Sequence, residues 1–399
     1  MKRFISAVLI FSFTLLLCNF YSSASDMEDD FTSSDINIGA ETDDVDVEGL
    51  SVNAKSAILI EALTGEILYS NNANEALAPA SVTKIMTLLL VAEAIEDGKI
   101  DLADSVVVSA NASSMGGSQV FLSEGESFTV EELLKCTVIA SANDAAVALA
   151  ELIAGTESRF VVLMNERAKA LGMKSTNFEN CTGLDDETTN HVTSAYDIAL
   201  MSRELIKHDI ILKYSNVWQD EIRNGDFVLT NTNRLVRYYQ GCTGLKTGST
   251  DKAGFCLSAT AEREGMHLIA VVMGSPTRDD RNNAARALLD YGFSSHALYT
   301  DESIQLERVP VYHGTPDEVT LFTKDFYCLV KKGEGALVER KYNIPEYIKG
   351  YHSAGEKVGE VIYTLEGREL GRCDIIIYDD ILPLSAWDIF LRILFGALN

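Results

Sequence analysis

Three short stretches of this chain hold residue types that could together break an amide bond. Ser81-Val82-Thr83-Lys84 sets a hydroxyl and an amine three residues apart. On a helix that step puts both on one face. A serine hydroxyl is a weak nucleophile until a base takes its proton, and a lysine can be that base once burial and a second cation lower its pKa. A serine at a helix start also has backbone N–H groups aimed at developing negative charge. Ser141-Ala142-Asn143 is the second stretch, two polar residues interrupting an apolar helical region. Lys246-Thr247-Gly248 is the third, and its glycine permits close approach of a substrate backbone.

Taken singly these are weak signals. Ser-x-x-Lys recurs at Ser249-Thr250-Asp251-Lys252 with no helical pattern behind it, and Ser-x-Asn recurs at several places, Ser51-Asn53, Ser109-Asn111 and Ser175-Asn177 among them. Lys-Thr-Gly occurs once. Order and context decide between the copies.

The elements that must position these groups follow from periodicity. Residues 56–70 read as two strands around Thr64-Gly65, and 81–97 as a helix through Ile85, Leu88, Leu89, Ala92 and Ile95, stopped by Gly98. Thr129 with Glu132 is a capping-box start for one helical run to Ala154, ended by Gly155. Residues 158–171 and 280–290 are helix-like, and 254–260 and 267–273 are apolar strands around Arg263-Glu264-Gly265, with Lys-Thr-Gly ahead of the first. Mixed helices with a strand pair at each end imply an α/β (α+β) body over 50–296. Over 297–383 short alternating runs at 303–309, 318–323, 357–364 and 369–377, with a hairpin tip at Glu366-Gly367, read as a small all-β domain.

The order Ser-x-x-Lys, Ser-x-Asn, Lys-Thr-Gly resembles that of serine penicillin-binding proteins and related β-lactamases. Within that superfamily the chain is similar to the D-alanyl-D-alanine carboxypeptidases of low molecular mass. The segments that carry the resemblance are 79–87, Ser141-Ala142-Asn143-Asp144, Asn231-Thr232-Asn233-Arg234-Leu235, Gly244-Leu245-Lys246-Thr247-Gly248-Ser249-Thr250 and Ala253-Gly254-Phe255-Cys256. Leu171-Gly172-Met173, Thr182-Gly183-Leu184 and His191 with Ala195-Tyr196-Asp197 continue it, so that it covers about 50–385 and the C-terminal helix. The resemblance implies a central antiparallel sheet flanked by helices, a helical subdomain bearing Ser141, and a site at their seam that needs no cofactor and no metal. It implies Ser81 as nucleophile, Lys84 as general base, Ser141 as proton relay, and Asn143 and Lys246 as catalytic partners. Lys246, Thr247, Gly248, Ser249 and Arg281 would bind substrate, with the N–H groups of Ser81 and Ser249 as oxyanion hole. The implied reaction removes the terminal D-alanine of peptidoglycan stem pentapeptides through a Ser81 acyl-enzyme, with β-lactams as covalent inhibitors.

Other readings compete with parts of this. Arg281 could simply pair with Asp279 or Asp280. His191, without a spaced partner, reads as structural. Cys242 is either an incidental surface thiol or one whose oxidation lowers activity. A β-lactamase would need a deacylating carboxylate after the second motif, where no Glu-x-x-Leu-Asn pattern occurs. Endopeptidase or transpeptidase action uses the same motifs. A catalytically dead wall-binding protein is at odds with retention of Ser81, Lys84 and Lys246.

The chain ends carry location. Residues 1–25 have Lys2 and Arg3 before an apolar run from Ile5 to Cys18 and read as a cleaved secretory signal. Residues 26–49 hold ten acids and no base, a disordered, solvated leader. Residues 384–399 form an amphipathic helix with Asp388, Arg392, Gly396 and Asn399 on one stripe and Trp387, Phe390, Leu391, Leu394, Phe395 and Leu398 opposite. Too short to cross a bilayer, it suits the membrane surface. The expected location is the outer face of the cytoplasmic membrane, or secretion. The net charge of −26 over 399 residues excludes a general nucleic-acid binder, and 47% apolar content excludes wholesale disorder. Six cysteines remain after signal removal, with no Cys-x-x-Cys and no metal-ligand spacing.

Overall fold

The computed structural model describes residues 44–186 and 188–396. The expected signal, the leader up to residue 43 and the last three residues lie outside them.

A five-stranded sheet organises the larger part of the chain. It is built from β1 (Ser56–Glu61), β2 (Ile67–Asn71), β3 (Cys242–Thr250), β4 (Gly254–Arg263) and β5 (Met266–Ser275), in the order β2-β1-β5-β4-β3. All neighbours are antiparallel. Side chains alternate between its faces. Ile58, Ile60, Ile269, Val271 and Met273 pack with Ile85 and Met86 of α1 (Lys84–Glu96) and Ile198 of α5 (Ala195–Leu205). Ala57, Leu59, Leu268, Ala270 and Val272 pack on Ala285, Leu288 and Leu289 of α6 (Arg278–Ser295). With both faces covered, the inner strands are nearly continuous apolar runs.

Against the first face stands a helical subdomain of α2 (Val130–Ile139), α3 (Asn143–Ala154) and α4 (Glu157–Ala170), gathered around α1. The capping box forms: Glu132 N–H donates to Thr129 Oγ1 at 3.2 Å, and Thr129 N–H donates to Glu132 Oε2 at 2.9 Å. Such a cap stabilises a helix by about 1 kcal/mol. Gly155, with φ +78°, ends α3. The single run expected from Thr129 to Ala154 is two helices, however. It breaks at residues 140–142, where Ser141 has φ +61°. No glycine or proline marks the break; a tertiary hydrogen bond to Ser141, described below, accompanies the left-handed conformation.

Three further expectations change. Lys-Thr-Gly lies inside β3 rather than ahead of the strands, because β3 is an edge strand whose buried side chains are mostly polar. Residues 44–49 of the leader are docked. Val45 exchanges backbone hydrogen bonds with Ser70 on edge strand β2, and Val47 packs on the core while Asp44, Asp46 and Glu48 stay exposed. The alternation of valine with acid lets this stretch pair with the open edge. Residues 303–309 make only an isolated bridge, Gln305 with Phe322, and the strand begins at Val309.

His296–Asp301 leads into a β domain with a core of Val309, Val311, Val319, Leu321, Val361, Tyr363, Ile375 and Ile377. Its largest sheet joins Leu321–Thr323, Arg368–Ile377, Lys357–Leu365 and Glu339–Asn343 in that order. Glu366 and Gly367, at φ +50° and +80°, make the hairpin tip. The chain closes with α7 (Ala386–Gly396), whose Arg392 donates to Gly314 O at 2.9 Å and pairs with Asp317. Trp387, Ile389, Phe390, Ile393 and Leu394 are exposed. Among the described residues no helix is long and apolar enough to cross a membrane.

Candidate active site

Ser81 sits in a 3₁₀ turn, Ala80–Thr83, that runs directly into α1. The turn carries the hydroxyl toward Lys84, with Ser81 Oγ 3.0 Å from Lys84 Nζ. The amine is wholly buried and also reaches Asn143 Oδ1 at 2.5 Å and the Thr182 carbonyl at 2.8 Å. Burial drives the Lys84 pKa down to about 7, against smaller opposing effects of Cys181 and Asp144. Asn143 Oδ1 and Thr182 O can only accept hydrogen bonds. They consume both N–H bonds of a neutral amine. The remaining lone pair then faces the Ser81 hydroxyl, as a general base requires.

The break between α2 and α3 turns Ser141 into the same space. Its Oγ accepts from Lys246 Nζ at 2.7 Å, and Lys246 also donates to its neighbour's carbonyl, Thr247 O, at 3.0 Å. Lys246 is buried, and its pKa is well below the ordinary lysine value because of desolvation, then repulsion from Lys84 and Arg281. Burial is what lowers Lys84, and the repulsion between the two lysines bears on Lys246.

Gly248 shows how close the β3 edge runs to the nucleophile. A Cβ there would lie 2.8 Å from both Pro79 O and Ser81 N and 2.9 Å from Val82 N. Only glycine lets the strand pass. Ser249, next along, is exposed on the strand, and Lys252 lies in the turn beyond it, so the second Ser-x-x-Lys copy is not on a helix. Ser109 caps the short helix Ala110–Ser113 and bonds Glu151, and Ser175 bonds Asn74 O. Of these Ser-x-Asn copies, only Ser141 meets a lysine.

Arg281 lies near the start of α6, 3% exposed. Its guanidinium donates to Asn282 Oδ1 at 3.1 and 3.2 Å and reaches Cys256 O at 3.5 Å. Among the described residues it has no carboxylate partner, so pairing with Asp279 or Asp280 does not occur; Asp280 instead accepts from Thr277. Burial and then Arg278 lower its pKa to about 10. A buried cation without an acid, close enough to Lys246 to depress it, makes the pocket electropositive.

Several residues outside the predicted set build the site. Asp144, next to Asn143, accepts from Val120 N–H and Leu122 N–H at 3.1 Å each and fixes the loop whose Gly116 and Ser118 carbonyls hold Asn143. Thr232 Oγ1 accepts from Thr247 Oγ1 at 2.7 Å. Their segments carried the resemblance, but nothing in their spacing marked them singly. His191 is buried and touches Thr83. Cys242 is mostly covered, donates to Gly244 O at 3.3 Å and has its pKa pushed up to about 11 by burial, which makes it a poor nucleophile.

Comparison with known proteins places this geometry. The family model for D-alanyl-D-alanine carboxypeptidases (peptidase family S11) matches residues 42–277, more than half of the chain. The chain belongs to the D-alanyl-D-alanine carboxypeptidase family. A model for the C-terminal domain of penicillin-binding protein 5 matches residues 293–382. The D-alanyl-D-alanine carboxypeptidase DacF of Bacillus subtilis (strain 168) is 41% identical over 388 residues, 95% of each chain. DacA of Escherichia coli (strain K12) is 31% identical over 360 residues, 86% of this chain and 88% of the relative. The crystal structure of penicillin-binding protein 5 from Haemophilus influenzae superimposes with a TM-score of 0.74 at 30% identity, covering 84% of this chain and all of that one. Penicillin-binding protein D2 of Listeria monocytogenes in its ampicillin-bound form covers 61% of this chain and 99% of that one, with a TM-score of 0.57 at 32% identity. Family membership makes this chain a serine peptidase of the hydrolase class.

Proposed function

We infer that this D-alanyl-D-alanine carboxypeptidase family member removes the terminal D-alanine from peptidoglycan stem pentapeptides, with Ser81 as the acylated residue. The observation that carries the reading is Lys84, buried, its pKa lowered to about 7 and its Nζ 3.0 Å from Ser81 Oγ, with Asn143 Oδ1 and Thr182 O as its other partners.

The groups act in sequence. Lys84 Nζ takes the Ser81 proton as Oγ bonds the carbonyl carbon between the two D-alanines. Negative charge on the carbonyl oxygen meets the N–H groups of Ser81 and Ser249. Ser141, hydrogen-bonded to Lys246, passes its proton to the leaving nitrogen as the C–N bond breaks and regains one from Lys84, which is left neutral again. Water then attacks the ester, and Lys84 takes a proton from it. Ser81 recovers its proton as the bond to Oγ breaks. Arg281, Thr247 and Lys246 hold the terminal carboxylate, and Gly248 lets the peptide lie along the β3 edge. A β-lactam enters the same path through its ring amide. Fluorescent penicillin should label the protein, with the adduct on the peptide containing Ser81. An unlabelled wild-type protein would overturn the reading.

We place the catalytic part at 50–296, the β domain at 297–383 and the terminal helix at 384–399. Residues 1–25 direct export, and α7 lies on the membrane surface. The support for the last is that α7 meets the β domain through Arg392 while its aromatic and aliphatic side stays uncovered.

A further inference from the structure

His191 is 2% exposed and lies at the crossing of two segments that the site depends on. Its Nδ1 accepts from Glu179 N–H at 2.9 Å, and its Nε2 lies 2.8 Å from Thr83 Oγ1. The first contact fixes the second. Nδ1 must keep its lone pair, so the proton of the neutral ring is on Nε2 and is donated to Thr83. Thr83 Oγ1 in turn donates to Ala80 O at 2.8 Å. The chain of donors thus runs one way, from Glu179 N–H through the ring to the Ala80 carbonyl. Burial keeps the ring neutral, with its pKa lowered to about 4 against the pull of Glu179 and Asp185 and with the help of Lys252.

The two ends of that chain matter for different reasons. Ala80 has φ +48°, a conformation alanine rarely adopts, and it immediately precedes the nucleophile. The Glu179 end leads into residues 180–183. There Thr182 O accepts from Lys84, and Gly183 packs so tightly on Ala80 that a Cβ would fall 1.8 Å from its carbonyl oxygen.

We propose that His191 is a positioning residue for the acylation step, clamping the strained Ala80–Ser81 turn through Thr83 so that Ser81 keeps its register with Lys84. The inference rests on Ser81 and Lys84 being nucleophile and base. Without the ring, Thr83 Oγ1 loses the N–H that fixes its orientation, its hold on the Ala80 carbonyl slackens and the turn relaxes. The Ser81 hydroxyl and its own N–H then shift together, so the rate of acylation falls while substrate affinity changes little.

Two substitutions separate the clamp from mere packing, since both remove the ring that lies against Phe178. His191→Asn keeps an acceptor where Nδ1 was and loses the donor to Thr83. His191→Gln keeps an amide N–H near the Nε2 position and loses the acceptor. The readout is the penicillin acylation rate constant counted per labelled Ser81, which ignores any unfolded fraction. H191N should acylate on the order of ten- to a hundredfold more slowly than wild type, and H191Q should recover to within about threefold. Thr83→Val, nearly the same in volume, should match H191N. Wild-type rates in H191N or T83V, or equal losses in H191N and H191Q, would overturn the proposal. A wild-type protein that takes no label fails the functional reading and takes this inference with it, a result distinct from a labelled wild type with unaffected variants.

Discussion

Lys84 Nζ lies 2.5 Å from Asn143 Oδ1, a contact between the first turn of α1 and the first residue of α3. It ties the break between α2 and α3 to the orientation of the base. Asn143→Asp should replace a neutral acceptor by a carboxylate and hold Lys84 protonated. We expect the penicillin acylation rate at pH 7 to fall by about a hundredfold, the scale of losing a general base, with partial recovery above pH 8. Stopped-flow acylation of N143D across pH checks this, and an unchanged pH profile would contradict it.

The wild-type profile follows from the sign of the Lys84 shift. Its reactive form is the free amine, and its pKa is about 7. Acylation should therefore fall about tenfold per pH unit well below 7 and level off above it. A rate independent of pH between 5 and 8 would exclude Lys84 as the titrating base.

Gly248→Ala tests the close passage of β3 past the nucleophile. The added carbon would lie under 3 Å from three backbone atoms of the Pro79–Val82 turn. Neither backbone can yield cheaply, and we expect acylation to be lost with a destabilisation of about 2 kcal/mol or more. Thermal unfolding beside penicillin labelling reads both. A variant with normal labelling would refute the geometry.

His191 also couples stability to pH. Its folded pKa is about 4, below the usual histidine value of 6.5. Between those values the unfolded chain binds the proton and the folded one does not. Stability should drop as pH falls from about 6.5 to about 4 and lose nothing further from this group below that. The contribution is on the order of 3 kcal/mol. His267 and His296 shift in the same direction, so the informative quantity is the difference between wild type and His191→Gln in denaturant unfolding at pH 6.5 and pH 4. Parallel losses in the two proteins would contradict it.

Much of this molecule is legible in its sequence where burial is two-sided. β1, β4 and β5 show as apolar runs because helices cover both faces, and α2 starts where Thr129 and Glu132 say it does. The order of the three motifs also brings the right serine, lysine and asparagine copies together. β3 escapes such a reading because its buried positions include Lys246 and Thr247, which sit inside for chemistry rather than for hydrophobicity. The bend at Ser141 escapes it too: Ala140, Ser141 and Ala142 are compatible with a helix, and the left-handed turn is accompanied by the Lys246 hydrogen bond from a strand more than a hundred residues away. The Glu179–His191–Thr83–Ala80 chain is equally non-local, joining segments with no shared pattern.

The central claim is that Ser81, activated by Lys84, cleaves the bond between two D-alanines. The direct measurement is release of D-alanine from a synthetic stem pentapeptide ending in D-Ala-D-Ala, followed with wild type and Ser81→Ala. We predict one D-alanine per peptide from the wild type and none above background from S81A. No release from a folded wild-type protein, or equal release from S81A, would contradict it.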